Sequence, residues 1–469
     1  MFTQIAVAQE PGFASSLLGK PSDWAGSEKD LFAANYAFPA QAADMSTQPW
    51  MTLNPSVDAE RDGYLSAILA YGLSSFVGDI RSGCPRVSQD WYHVPWLTLS
   101  FGNTQADIAA GKIGSGREPI CGLTQERPAP VGFLHKKQMR KVQTWAVGTF
   151  NEPGGFLLGK VWKDRTRADL SDLKFPNGAF VVKFLFTEAD TTEVPYLLGS
   201  PEWKANVYSA DGAQSRSTKT MRLIQIDFGV RDARFETTTG WVFGTFIYYN
   251  GDTAAPVDWK TKLVPVGVMW GNDHGKMIST TFTEQVLNPT VAALATGGKL
   301  FDLSKRQTFG WSGRVNGILD NPVSSCLSCH GTAQVHKTEN IKQFILPALL
   351  PGQVSDANKM LWFRNTPAGT PFVFTAAELA LVKQDTPSLL RADWTPALMA
   401  DFVSTDYSLQ LRMAIENERF FNGLQQAVDV LEKMSKQLKE PVLATSARTK
   451  LLEAFRRESK VIARSGEPE

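Results

Sequence analysis

Apolar and polar positions along the chain fall into three regimes. From Asp58 to about Leu73, Tyr64, Ile68 and Tyr71 recur at helical spacing with Leu65 and Leu69 beside them, which predicts a helix. Between about Thr144 and Asn250 the pattern becomes short runs of β-branched and aromatic residues bounded by Gly, Asn, Asp and Thr. Trp145–Phe150, Phe156–Trp162, Ala179–Thr187, Met221–Val230 and Gly240–Tyr249 each read as a strand, with Asn151–Gly155 as a turn, and Lys262–Trp270 adds a further strand. Strands in succession without intervening helices predict an antiparallel sheet or partial barrel. From Thr375 the chain reads as helical. Leu409, Met413, Phe420, Leu424, Val428 and Leu431 step by three, four and seven; Pro441 interrupts, and a last helix is expected over about Leu443–Ala463.

Residues 1–55 mix Gly, Pro, Ala and Ser with isolated aromatics and read as an irregular arm, whereas Trp91 to Trp96 is a dense aromatic segment expected to be packed. The expected fold class is α+β. An antiparallel β-rich domain over 144–336, with an insertion at about 250–320, lies between an N-terminal extension (1–143) and a mainly helical C-terminal region (337–469).

Composition narrows the function classes. With 43% hydrophobic and 20% charged residues over 469 positions, the chain builds a core without disulfide staples. The 48 basic residues nearly cancel the 47 acidic ones, so the basic excess of a nucleic-acid partner is missing. No run of about 18 apolar residues exists, so no transmembrane helix is expected. The 13 tryptophans and 28 phenylalanines suit either a wide aromatic core or a cofactor pocket.

The cysteines carry the candidate chemistry. Cys326-Leu327-Ser328-Cys329-His330 is a C-x-x-C-H motif. Two thiols at this spacing can form thioethers with the two haem vinyl groups, and the following histidine reaches the iron, giving one covalently attached haem c. A thioredoxin-like dithiol is a second reading, which the histidine and the lack of a βαβ pattern disfavour. A zinc half-site is a third; it wants another ligand pair, and His336 has no companion. Covalent haem implies a periplasmic or otherwise exported protein. Met1 to Lys20 lacks the apolar core of a secretory signal, so the chain reads as a mature form with an added initiator methionine. Cys84 and Cys121 are either bridged, as an oxidising compartment allows, or two unpaired buried thiols.

With the strands and the motif side by side, the chain resembles the pigment-460 cytochromes, c-type haem proteins with a lysine cross-linked to the porphyrin, and their relative cytochrome c-prime-beta. Three segments carry the likeness. Phe175-Pro176-Asn177-Gly178 leading to Lys183 resembles the family's Phe-x-Asp-Gly turn and the strand that ends in the cross-linking lysine. Ile224 to Phe235, followed by Gly240 to Tyr248, is similar to its paired strands, with Val230-Arg231-Asp232 and a later Trp241-Val242-Phe243. Asn321-Pro322 through His330 resembles its haem-binding segment. The likeness covers roughly residues 144–336. The chain departs from the family in the stretch of about 77 residues between Tyr249 and Cys326 and in both terminal extensions.

The resemblance implies Cys326 and Cys329 as thioether anchors, His330 as the axial iron ligand and Lys183 as the cross-linking candidate. Alternation puts Val181, Lys183 and Leu185 on one face of their strand and Phe180, Val182, Phe184 and Phe186 on the other. The aromatic face is the expected core, which leaves Lys183 facing either solvent or a pocket. His93, His135, His274, His336 and Met360 are candidates for the sixth iron position, His274 in its polar loop foremost. The expected function is a redox enzyme or small-ligand binder acting on hydroxylamine or nitric oxide, with a redox partner protein. A mono-haem electron-transfer cytochrome, or a subunit of a larger redox assembly, is the alternative.

Overall fold

The computed structural model describes residue 26 and residues 31–97, 117–208, 216–251, 253–256, 258–339, 355–385, 394–419 and 422–423. Phe420, Leu424, Val428, Leu431 and the helix expected over 443–463 lie outside the described residues.

An eight-stranded antiparallel sheet organises the chain, with several helices around it, so the fold is α+β. Its strands are β1 (Thr124–Gln125), β2 (Thr144–Phe150), β3 (Phe180–Thr187), β4 (Glu202–Tyr208), β5 (Arg216–Arg231), β6 (Trp241–Tyr248), β7 (Leu263–Met269) and β8 (Gln285–Leu287). The order is β1-β2-β3-β5-β6-β7-β8. The first part of β5 pairs with β4 and the remainder with β3. Thus residues 250–320 are partly sheet, since β7 and β8 extend its edge.

The strand expected over Phe156–Trp162 is instead part of a helix, Glu152–Val161. Asn151 caps it, its Oδ1 accepting from Gly154 N, and a proline sits in its first turn. An apolar run of seven residues is ambiguous between strand and helix, and the Asn-x-Pro start signal resolves it.

The two faces of β3 decide where the chemistry sits. Phe180, Val182, Phe184 and Phe186 are fully buried with Tyr64, Leu65 and Ile68 of the helix Asp58–Leu73. Burying one phenylalanine contributes roughly 1.5–3 kcal/mol, so three of them fix this face as core against Val181 and Leu185. The aromatic segment Trp91 to Trp96 is likewise packed inside. Cys84 and Cys121 form a disulfide, with Cα atoms 4.8 Å apart.

On the opposite face lie the helix Glu152–Val161, the short helix Cys326–His330 and the C-terminal segment. Among the described residues that segment carries several helices and one short strand. Helices at Ala376–Asp385, Pro396–Ala400 and 409–419 are accompanied by β10 (Phe402–Ser404), which pairs with β9 (Gln334–His336) just after the C-x-x-C-H motif. No helix among the described residues is long and apolar enough to cross a membrane.

Candidate functional site

A cleft of about 380 Å³ opens between the sheet and the C-x-x-C-H helix, within the range usual for small-molecule and cofactor sites. Its floor follows from strand register. Gly148, Lys183, Asp227 and Thr245 are directly paired across β2, β3, β5 and β6 and so share one face. The next row is Phe150, Val181, Gly229 and Phe243. Gly148 admits the Gln410 side chain from the helix 409–419; a Cβ there would fall 2.1 Å from Gln410 Nε2.

The facing wall carries Cys326, Cys329 and His330. Ser325 and Ser328 form a reciprocal capping box at the start of this five-residue helix. Asn316, Asp320, Asn321 and Ser324 add a polar rim, and Tyr407, Leu409, Gln410 and Met413 close the cleft from the C-terminal side.

His330 is held in one tautomer. Its Nδ1 lies 2.8 Å from the carbonyl oxygen of Tyr407, and a carbonyl only accepts, so Nδ1 carries the proton. Burial pushes the imidazole pKa down to about 4, so the ring is neutral near pH 7 and its Nε2 lone pair is available. The Phe243 ring packs against it, with centroids 4.5 Å apart.

The thiols are the reverse of a reactive pair. Cys326 and Cys329 are unbridged. Burial, with Asp320 adding to it, pushes Cys329 up to about 12 and Cys326 well above the ordinary thiol range. Reactive dithiols lie in electropositive surroundings that lower the pKa, so this environment argues against a thioredoxin-like pair. Among the described residues no group of three or more His, Cys, Asp or Glu side chains is placed to hold a metal ion by itself.

Lys183 turns into the cleft rather than to bulk solvent. Its Nζ pairs with Glu126 Oε2 at 2.9 Å. Burial opposes its charge, but Glu126, Asp227 and Asp320 together outweigh that and hold the ammonium pKa above the ordinary value. Asp227 shows the opposite balance: burial and then Asp320 raise its carboxyl to about 8, against the pull of Lys183. Gln225 ties the sheet to the rim, donating from Nε2 to Asp227 Oδ1 at 2.7 Å and to Asp320 Oδ2 at 3.1 Å.

The structure therefore brings Cys326, Cys329, His330 and Lys183 into one cleft and leaves His274 out of it. His274 is exposed. Its neighbour Asp273 turns inward, accepting from Thr283 N, Glu284 N and Gln285 Nε2, and Arg314 grips the carbonyls of Asn272 and Asp273, so the loop can present His274 only outward. Met360 Sδ accepts from Gly275 N at 3.3 Å, outside the cleft. The Nδ1 atoms of His93, His135 and His336 accept from Asn35 N, Lys137 N and Glu339 N, and none of these rings lines the cleft.

Glu126, Asp227, Asp320, Tyr407, Gln410 and Met413 were not read from the sequence as site residues. Only Asp227 left a local signal there, as a carboxylate inside the apolar run Ile224 to Val230, the same anomaly that marks Lys183. No protein family, curated protein or solved structure matches the chain.

Proposed function

We propose that the protein is a c-type haem protein that binds and turns over a small nitrogenous ligand such as hydroxylamine or nitric oxide, passing electrons to a partner protein. The observation that carries this reading is that two neutral thiols, a neutral histidine with a free Nε2 and a lysine all open onto one largely apolar cleft. Haem would be held by thioethers to Cys326 and Cys329 and by His330 Nε2, and when bound it supplies the redox chemistry. The residues fit that group. A backbone carbonyl hydrogen-bonded to Nδ1 is a usual orienting partner of a metal-ligating imidazole, and Tyr407 provides one. Gly148 and Gly229 leave room on the sheet for cleft-lining side chains, Gln410 over the first and Phe243 over the second.

The polar side chains would serve the ligand. Asp227, with its raised pKa, can hold or release a proton near neutral pH beside the charged Lys183, and Gln225 fixes its orientation. Alternatively, Lys183 is the candidate cross-link of the pigment-460 cytochromes that residues 144–336 resemble, in which case a bond to the porphyrin replaces its ammonium charge; its position in the cleft supports that comparison. A covalent haem carries with it an exported, periplasmic location.

A mono-haem electron carrier is the second reading, favoured by one observation: Met413 lines the cleft. A thioether in the sixth position would close the iron to ligands.

Acid–acetone extraction of the exported protein tests the first step. Pigment should stay on the polypeptide, and Cys326→Ala with Cys329→Ala should give colourless protein. Pigment that extracts from the wild type would overturn the proposal.

A further inference from the structure

We infer that Asp406 is a positioning residue for His330, acting through the backbone carbonyl of Tyr407. The inference rests on the reading of His330 as the axial ligand. It concerns a residue far outside the segment that resembles a known family.

The carbonyl that orients His330 belongs to an unusual piece of backbone. Asp406 and Tyr407 are consecutive non-glycine residues in the left-handed region, with φ of 48° and 66°. Asparagine and aspartate enter that region readily, but a tyrosine there is held by its surroundings. The holding group is the Asp406 carboxylate, which is fully buried. Its Oδ2 accepts from Phe175 N at 2.7 Å, and its Oδ1 accepts from Gly369 N at 2.8 Å and from Trp241 Nε1 at 3.2 Å. Arg231 Nε stands 3.9 Å from Oδ2. One side chain thus pins the 406–407 turn to the loop before β3, to β6 and to the segment around 369.

The rest of the turn is strapped to the motif itself. β10 pairs with β9, and Thr405 N donates to Ala333 O at 2.9 Å, three residues beyond His330. The Tyr407 hydroxyl donates to Thr366 O. Asp406 N donates to Ser404 Oγ at 3.0 Å. With both ends tied, the Tyr407 carbonyl is directed at His330 Nδ1, 2.8 Å away. A firm Nδ1–H···O bond raises the basicity of the opposite nitrogen, which favours ferric over ferrous iron.

Asp406→Asn tests this on the pigmented holoprotein. The new amide keeps one acceptor oxygen and replaces the other by NH2, so either Phe175 N or the pair Gly369 N and Trp241 Nε1 loses its acceptor, and the charge beside Arg231 is removed. The expected result is a lower Fe–His stretching frequency in the ferrous resonance Raman spectrum. The one-electron equilibrium should shift about tenfold toward the reduced form, or about 59 mV. Glu418→Gln is the control. That buried carboxylate also accepts from an indole and a backbone N–H, Trp162 Nε1 and Ala168 N, on the same C-terminal segment. It should cost stability and leave both readouts in place. If Asp406→Asn gives no holoprotein, Ser404→Ala, which removes only the Asp406 N bond, should move both readouts in the same direction by less. Unchanged readouts in the variant that folds, or equal shifts in the Glu418→Gln control, would overturn the inference. Absence of covalent pigment from the wild type would instead sink the haem reading beneath it.

Discussion

Lys183 and Asp227 are register partners across the centre of the sheet, and both side chains turn into the cleft that holds the C-x-x-C-H motif. An ammonium and a carboxylate at adjacent positions on a sheet face would normally ionise together. Here Glu126 pairs with the lysine at 2.9 Å, and at Asp227 burial and the Asp320 carboxylate outweigh the pull of Lys183. As long as Lys183 is not bonded to a macrocycle, the pair supplies one cation and one group that titrates near neutrality.

That titration should appear in stability. An acid whose folded pKa lies above its unfolded value binds more protons when folded, so it lowers stability as pH rises. The window runs from the unfolded aspartate pKa of about 3.9 up to about 8. Asp227→Asn removes the ionisation, so its stability relative to wild type should improve from pH 5 to pH 8. Urea unfolding at both pH values checks this, and an identical pH slope in the two proteins would remove Asp227 from the account.

Lys183 should be visible in the optical spectrum. If its nitrogen is bonded to the macrocycle, the wild-type Soret band is broad and strongly red-shifted, and Lys183→Ala restores an ordinary c-type band. A spectrum unmoved by the substitution reduces Lys183 to the partner of Glu126. The comparison then shifts to cytochrome c-prime-beta, which lacks that bond.

Coordination separates catalysis from electron carriage. Of the histidines and methionine singled out from sequence for the sixth position, none lines the cleft, so ferrous iron is expected to be five-coordinate and to bind carbon monoxide promptly. Met413→Leu should then leave the spin state unchanged. A low-spin ferrous spectrum that turns high-spin in Met413→Leu would make the carrier the better reading.

Thiol counting tests cofactor and disulfide together. With Cys84 and Cys121 bridged and the other two cysteines alkylated by haem, denatured protein should show no free thiol before reduction and two after. A haem-free chain would show two and four. Cys84→Ser opens a loop spanning a sequence separation of 37 and should cost about 2–4 kcal/mol of stability by denaturant unfolding.

Sequence alone determined the elements whose signal is local. The C-x-x-C-H spacing, the helix at Asp58–Leu73 and the alternation of β3 are periodicities within one segment, and so they were legible. It misassigned Phe156–Trp162, where an apolar run suits either state and the Asn151 cap decides. The surroundings of the site were decided only by tertiary structure. Glu126 meets Lys183 from the residue just after β1, Asp320 arrives on a loop 93 positions beyond Asp227, and Tyr407 reaches His330 across a separation of 77. Strand register and the pairing of β9 with β10 bring these groups together. Those are long-range contacts fixed by burial of the sheet's aromatic face, and no spacing within a single segment encodes them.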